Sequence, residues 1–234
     1  MERLGGAEEI LDGPLDDLDA VAGNLRDLRR VNRLLGGTRL SRLAIDRLWP
    51  DGTSLWVLDV GTGGADIPVS LLADAVRRGR SLRVEAIDSR PEVIEAARLA
   101  RPAVDRVPGL SLRVADGLAL PYPDRAFDIA HCSMVVHHLE PAEAVALLRE
   151  MARVARLGVV VNDLVRGRLF WTGAWVMSHA ATRNRLTRTD APLSVRRAYS
   201  REELRGLVEE AGLRIVGEVG GLVGHRVAIA AVRA

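Results

Sequence analysis

The sequence contains no lysine and no glutamine, and it has a single cysteine, Cys132. Without lysine, the protein cannot use a lysine Schiff base or the phosphate-binding lysine of a P-loop. One cysteine excludes an internal disulfide and a cysteine-based metal cluster. The sequence also has no apolar run near the ~18 residues that a membrane-spanning helix needs. Several function classes are therefore excluded before any motif is considered.

The remaining composition is that of one ordinary globular domain, or one domain with a small cap. The chain has 234 residues, of which 48% are hydrophobic, and a net charge of +2. Most arginines alternate with acidic residues, which disfavours a nucleic-acid partner. Residues 1–12 are acidic and polar, unlike a signal peptide, so we expect a cytoplasmic protein without a membrane partner. The oligomeric state stays open, with a homodimer as one option.

Hydrophobic periodicity divides the chain into three regions. Residues from about 14 to 49 predict two or three short helices, interrupted at Gly36-Gly37. From residue 51 to 234 we expect the main domain, with residues 1–50 as part of a helical cap. The alternation is broken by a predicted helical insertion at about 164–198. A capping box at Ser200 and Glu203 then opens another helix.

Within the main domain, apolar strands alternate with helical segments. Such alternation predicts a Rossmann-like, mostly parallel sheet with helices on both faces. The last two strands form an antiparallel pair, so the predicted fold is α/β with seven strands, an antiparallel last strand and a small helical cap. The predicted strands are 55–60, 82–88, 110–115, 127–132, 158–163, 213–219 and 226–232.

The strongest local signal is the run from Val57 to Pro68, where an acid ends a strand and glycines lead into a helix. Glycine permits positive φ and close approach of the backbone to a ligand. A nicotinamide dinucleotide motif would need a third glycine where this chain has Asp66. A carboxylate there would repel a pyrophosphate. The next acid at a strand end, Asp88, also lies farther from the glycines than the dinucleotide motif places its ribose acid.

Together these residues resemble class I S-adenosylmethionine-dependent methyltransferases over residues 55 to about 163, in particular small bacterial ones of the ubiquinone-biosynthesis type. The resemblance implies that S-adenosylmethionine is the cofactor and that acids follow three successive strands. Asp88 would bind the ribose hydroxyls, and Asp116 would accept from the adenine amino group. Ala65 departs from the family, which usually has a third glycine there. The implied cofactor-binding residues are Asp59, Gly61, Thr62, Gly63, Asp66, Asp88, Ser89, Arg90, Asp116, Gly117, Leu118, Ser133 and Met134.

Catalysis is predicted to depend on the histidines that follow the fourth strand. Imidazole titrates near neutral pH, so His137 or His138 could act as a general base toward a hydroxyl or carbon acceptor. His131 is expected to be structural. His137 and His138 are adjacent and expected to point in different directions. Magnesium-dependent catechol methyltransferases need an acid where this chain has Ser133, so no metal site is predicted.

The acceptor is predicted to be a small molecule that is aromatic, with a pocket formed by the N-terminal helices and the insertion. The run 162–166 and the long insertion resemble methyltransferases of bacterial aromatic-polyketide or phenolic-lipid pathways, which implies a phenol or quinol methylated on oxygen or carbon. Three alternatives remain: a nicotinamide-dependent oxidoreductase, a catalytically silent methyltransferase-like subunit, and an RNA methyltransferase.

Overall fold

The computed structural model describes residues 1–221 and 223–234. Its strands are β1 (Leu55–Val60), β2 (Leu82–Asp88), β3 (Leu110–Val114), β4 (Phe127–Ser133), β5 (Ala155–Leu164), β6 (Leu213–Gly220) and β7 (Arg226–Arg233). Within the described residues these seven strands form one sheet in the order β3-β2-β1-β4-β5-β7-β6. Strands β1 to β5 pair in parallel, whereas β7 is antiparallel to β5 and β6. The predicted fold class is confirmed.

Eight α-helices surround this sheet in the described part of the chain. They are α1 (Leu18–Leu34), α2 (Gly37–Asp46), α3 (Asp66–Arg77), α4 (Pro91–Ala100), α5 (Pro141–Val154), α6 (Arg168–Ala181), α7 (Arg185–Arg197) and α8 (Arg201–Glu210). Three short 3₁₀ turns cover Ile10–Asp12, Val104–Arg106 and Val136–His138. No helix of the described residues is both long and apolar enough to cross a membrane.

Both faces of the sheet are buried, which explains the continuous apolar strands. Along β1, Leu58 and Val60 belong to one core cluster, and Leu55 and Val57 belong to the cluster on the opposite face. Successive side chains of a strand point to opposite faces, so the helices that follow each strand must cover both. The sheet therefore presents only its strand ends to a ligand.

Most strand ends lie within one residue of the prediction, and the largest difference is at the start of β5. Strand β5 begins at Ala155 rather than Gly158, because α5 passes directly into it without turn residues. Within the predicted helical insertion, helix α7 continues through Pro192. Proline removes one backbone hydrogen bond and normally ends a helix. Here the Asn184 side chain caps α7 by accepting from the Thr187 amide, and Pro192 is buried against the surrounding helices.

The helices outside the alternating pattern come from residues before β1 and from the stretch between β5 and α8. Helix α1 packs on α4, and Leu186 of α7 joins their shared cluster. Leu25 of α1 lies directly over Gly64, in the turn between β1 and α3. These added helices therefore lie over the carboxyl ends of the strands. Strand order reverses there between β1 and β4, which is where open α/β sheets bind ligands.

Candidate active site

The turn between β1 and α3 has the open backbone that its glycines predict. Gly61 has φ +67°, and a Cβ on it would lie 2.4 Å from Cγ2 of Val135. Gly63 has φ +51°, and its amide donates to Oδ2 of Asp88 at 3.0 Å. The Thr62 hydroxyl is buried without a hydrogen-bond partner in the described residues. The turn thus offers a close backbone surface and one unused hydroxyl.

Ala65 occupies the position where the family usually has glycine, and it adopts the left-handed conformation at φ +51°. It directly precedes Asp66, the first residue of α3. The Asp66 carboxylate is buried and accepts from the Asn32 side-chain amide at 3.1 Å. Burial raises the pKa of Asp66, and the nearby Asp59 raises it further. A carboxylate at this helix start opposes pyrophosphate binding, as the sequence predicts.

Asp59 and Asp88 lie at the ends of adjacent parallel strands. Asp88 accepts from the Gly63 and Arg90 amides, and burial raises the pKa of its carboxyl group. Oδ1 of Asp59 lies 2.5 Å from Nδ1 of His131, and Nε2 of this ring lies 2.8 Å from the Ser41 hydroxyl. His131 is fully buried and orients Asp59, which agrees with its predicted structural role.

Asp116 follows β3 and is exposed, with its carboxylate accepting from the Leu118 amide at 2.9 Å. Gly117 packs so closely that a Cβ there would lie 2.8 Å from Cγ1 of Val60. This contact ties the turn after β3 to the end of β1. The structure therefore places the three predicted acids after the adjacent strands β1, β2 and β3.

The other predicted cofactor residues lie at the same edge in different surroundings. Ser89 is exposed, whereas the Arg90 guanidinium donates to the carbonyls of Leu11 and Gly13. Ser133 accepts from Arg226 at 2.8 Å, and Met134 has φ +59°. A left-handed non-glycine residue is strained, and such strain concentrates at functional sites.

Sequence reasoning missed Arg226, the largest fully buried side chain of the described residues. Its guanidinium donates to Asn32 at 2.6 Å, to Ser133 at 2.8 Å and to Asn162 at 3.3 Å. Burial lowers the pKa of Arg226 to about 10. In the sequence it is one arginine beside an apolar strand, and its partner Asn32 is 194 positions away. No local pattern identifies such a contact.

His137 is fully buried and held by Asp163 at the end of β5. Nδ1 of the ring lies 2.6 Å from Oδ1 of Asp163, and the His137 amide donates to Oδ2. Burial would raise the pKa of Asp163, but the His137 ring and its hydrogen bond lower it overall. Nε2 of His137 has no hydrogen-bond partner in the described residues. The pair is thus an oriented imidazole with one free nitrogen.

His138 lies beside His137 and does not point away from it, contrary to the expectation. The ring centroids are 4.3 Å apart, because the two residues belong to a tight 3₁₀ turn. Nδ1 of His138 lies 2.9 Å from Oδ1 of Asp12. The buried Glu9 carboxylate faces both rings, and burial raises the pKa of Glu9 to about 7. Neither Glu9 nor Asp12 was identified from the sequence, since both look like residues of a solvated tail.

A cleft lies between α1, α2 and α3, beside the start of α3. It has a volume of about 730 Å³ and contains Asp66, but no other predicted cofactor residue. Arginines of α1, α2 and α3 line it, among them Arg29, Arg33 and Arg39. The insertion also has an unusual surface, since Trp171 and Trp175 of α6 are both exposed.

Comparisons with known proteins place the relatives of this chain among methyltransferases. Residues 57–158 match the family model described as a methyltransferase domain. A ubiquinone/menaquinone biosynthesis C-methyltransferase from Citrifermentans bemidjiense is 30% identical over 129 residues, covering 54% of this chain and 52% of the relative. Ajmaline N-methyltransferase from Rauvolfia serpentina is 32% identical over 107 residues, covering 45% of this chain and 34% of the relative. The chain thus spans between about a third and about half of these relatives' lengths.

A solved structure shows the same fold. The S-adenosylmethionine-dependent methyltransferase from Aquifex aeolicus superimposes with a TM-score of 0.63 at 20% identity, covering 90% of this chain and 97% of that one. Residues 57–158, which match the family model, contain the glycine turn and all three predicted acids. Residues 57–158 therefore match a methyltransferase domain, and the chain has the fold of the solved S-adenosylmethionine-dependent methyltransferase.

Proposed function

We propose that the protein transfers a methyl group from S-adenosylmethionine to a small phenolic or quinol-like acceptor. One observation carries the proposal: the glycine turn after β1 is hydrogen-bonded to Asp88 after β2, with Asp116 after the next strand. This order matches a cofactor that places its ribose and adenine along neighbouring strand ends. The turn fits the cofactor because it combines close backbone approach with the unpartnered Thr62 hydroxyl.

The residues of the chain would divide the binding task by position. Asp88 would accept from the ribose hydroxyls, with Ser89 and Arg90 beside the adenine, and Asp116 would accept from the adenine amino group. The remaining residues of the proposed cofactor site are Asp59, Gly61, Thr62, Gly63, Asp66, Gly117, Leu118, Ser133 and Met134. When bound, S-adenosylmethionine supplies the methyl group and a neutral thioether leaving group.

His137 is the proposed general base toward the acceptor, and His138 is the second candidate. Asp163 holds Nδ1 of His137, so the free Nε2 can take the proton of an acceptor hydroxyl as its oxygen or ring carbon bonds to the methyl group. This nitrogen is covered by Glu9. The segment that contains Glu9 must move for an acceptor to reach the ring.

We further propose that residues 1–50 and the insertion at 164–198 act as a cap that shapes the acceptor pocket. The exposed Trp171 and Trp175 would suit a planar acceptor, since aromatic rings stack on one another. The arginine-lined cleft favours one second candidate, methylation of RNA. Steep loss of RNA affinity with salt would distinguish it.

The first experiment is calorimetric titration with S-adenosylhomocysteine. Asp116→Ala is the informative variant, because Asp116 is exposed and Asp88 also holds the turn in place. We expect micromolar binding to the wild type and about tenfold weaker binding to the variant, about 1.4 kcal/mol. Asp124→Ala is the matched control, since this exposed aspartate forms only a surface ion pair with Arg153.

The second experiment measures methyl transfer to a panel of phenols. His137→Asn should lower kcat by about 10²–10⁴, with the affinity for S-adenosylhomocysteine unchanged. Failure of the wild type to bind S-adenosylhomocysteine would refute the proposed function. Binding without transfer to any acceptor would favour the catalytically silent subunit.

A further inference from the structure

A second chemical feature lies where the N-terminal segment covers the turn after β4. Three potential ligand groups converge there: the Glu9 carboxylate and the Nε2 atoms of His137 and His138, all within 4.8 Å of one another. We propose that Glu9, His137 and His138 bind one divalent transition-metal ion of the zinc type. This proposal replaces the expectation of no metal, which assumed that the two rings point in different directions.

The orientation of the rings is the first argument. Each histidine has its Nδ1 beside a carboxylate, Asp163 at 2.6 Å for His137 and Asp12 at 2.9 Å for His138. A ring that donates its Nδ1–H to a carboxylate presents a lone pair at Nε2. Metal-binding histidines are almost always held in this way, with the second nitrogen bonded to a carboxylate, a carbonyl or water. Both rings therefore have the orientation that a metal-binding histidine requires, with Nε2 near the Glu9 carboxylate.

The second argument is the unfavourable contact that remains without an ion. Nε2 of His137 is buried without a hydrogen-bond partner in the described residues, although its side chain is only 1% exposed. It lies 3.8 Å from Oε1 of Glu9, and Nε2 of His138 lies 4.0 Å from Oε2. Both Nε2 atoms therefore lie near the Glu9 carboxylate without a hydrogen bond to it. A cation between them would satisfy all three groups at once.

The distances suit a small ion after a minor contraction. Ligands bound tetrahedrally at about 2.0–2.1 Å from zinc are about 3.3 Å apart. The two separations between Glu9 oxygens and Nε2 atoms exceed this by about 0.5–0.7 Å, so the Glu9 side chain must shift toward the rings when the ion binds. Ser194 donates to Oε1 of Glu9 at 2.8 Å and would hold the carboxylate in place. Three protein ligands leave a fourth position open, as in catalytic zinc sites.

The surrounding charges favour a cation. Several carboxylates surround the rings, together with two guanidinium groups of the described residues: Nη1 of Arg197 donates to Asp12 and lies 3.9 Å from Glu9, and Arg226 lies near Asp163. Two imidazoles and one carboxylate are the donor set that zinc, cobalt and nickel prefer over magnesium or calcium. The carboxylates around the rings are Glu9, Asp12, Asp163 and Asp190.

The metal would also change how the acceptor is activated, a consequence that rests on the proposed function. With the ion bound, Nε2 of His137 is a ligand and no longer a base. An acceptor hydroxyl at the fourth position would then become more acidic through the ion, as metal-bound water does. Metal binding can be measured without cofactor or acceptor, and S-adenosylhomocysteine binding can be measured without metal, so the failure of either is distinguishable from the failure of the other; metal binding at this site would replace the proposed role of His137 as the base.

The test is titration of the full chain, stripped with a chelator, with Zn²⁺ by calorimetry and with Co²⁺ by visible absorption. We expect one equivalent per chain and a Co²⁺ spectrum of tetrahedral intensity. Glu9→Gln and His138→Ala should weaken Zn²⁺ binding at least tenfold, and Asp12→Asn by about 10–100-fold. His179→Ala is the control, since that exposed histidine stacks on Trp175 and should bind the same amount of metal as the wild type.

Circular dichroism would show that each variant is folded. Binding of less than one tenth of an equivalent by the wild type would overturn the proposal. Binding that is unchanged in both Glu9→Gln and His138→Ala would also overturn it, because the ion would then be bound elsewhere.

Discussion

Gly61→Ala tests whether the turn after β1 needs glycine for its backbone and for the space around it. Gly61 has φ +67°, which costs an L-residue about 1–2 kcal/mol. The added methyl would also lie 2.4 Å from Cγ2 of Val135, and relief of such overpacking costs about 1–3 kcal/mol. We therefore expect a loss of about 2–5 kcal/mol in the free energy of unfolding, which a domain of ordinary stability tolerates.

Two further variants separate these two costs. Gly79 has nearly the same φ, +65°, with nothing within 4 Å of an added Cβ, so Gly79→Ala measures the backbone cost alone. Val135→Ala removes the clashing methyl groups. The double variant Gly61→Ala/Val135→Ala should be more stable than the sum of its single changes predicts, by about 1–3 kcal/mol.

Urea unfolding followed by circular dichroism measures all four free energies. The reasoning is refuted if Gly61→Ala costs no more than Gly79→Ala. It is also refuted if the double variant is additive within about 0.5 kcal/mol, because the contact with Val135 would then carry no energy.

Two other predictions concern buried titratable groups. Burial raises the pKa of Asp66 in the folded protein. The protonated Asp66 side chain therefore contributes to the free energy of unfolding below the ordinary pKa of about 3.9. This contribution is lost as the pH rises through the folded-state pKa of Asp66. Asp66→Asn, which keeps an acceptor for Asn32, should therefore gain thermal stability relative to the wild type between about pH 4 and pH 7; an equal difference at every pH would contradict this. Burial also raises the pKa of the Cys132 thiol, which is completely inaccessible. Iodoacetamide at pH 8 should leave it unmodified in the folded protein and alkylate it in urea, as mass spectrometry would show; rapid alkylation without urea would be inconsistent with the described packing.

Much of the sheet is predictable from the sequence because its strands are buried on both faces. Strands β1 and β2 begin and end at the predicted residues, since each is mostly apolar and carries an acid at its end, before a turn. The glycine turn and the three acids are local motifs, so their positions follow once the strands are known. The same logic explains the Ser200 capping box, which forms as predicted.

The elements that sequence reasoning missed depend on distant partners. The 3₁₀ turn Ile10–Asp12 is held by the Asp190 carboxylate, which accepts from the amides of Ile10 and Leu11, about 180 positions away. Hydrophobic periodicity contains no information about such pairings, which is why Glu9 and Asp12 could not be assigned to the histidines.

Residues 9–13 connect the two halves of the candidate site. On one side, the carbonyls of Leu11 and Gly13 accept from Arg90, which follows Asp88, the proposed ribose-binding residue. On the other side, the same short segment places Glu9 over the free nitrogen of His137. If the segment moves as a unit to admit an acceptor, the Arg90 hydrogen bonds must break as well. Acceptor entry is therefore linked to the contacts beside the cofactor, and by reciprocity each ligand alters the affinity for the other.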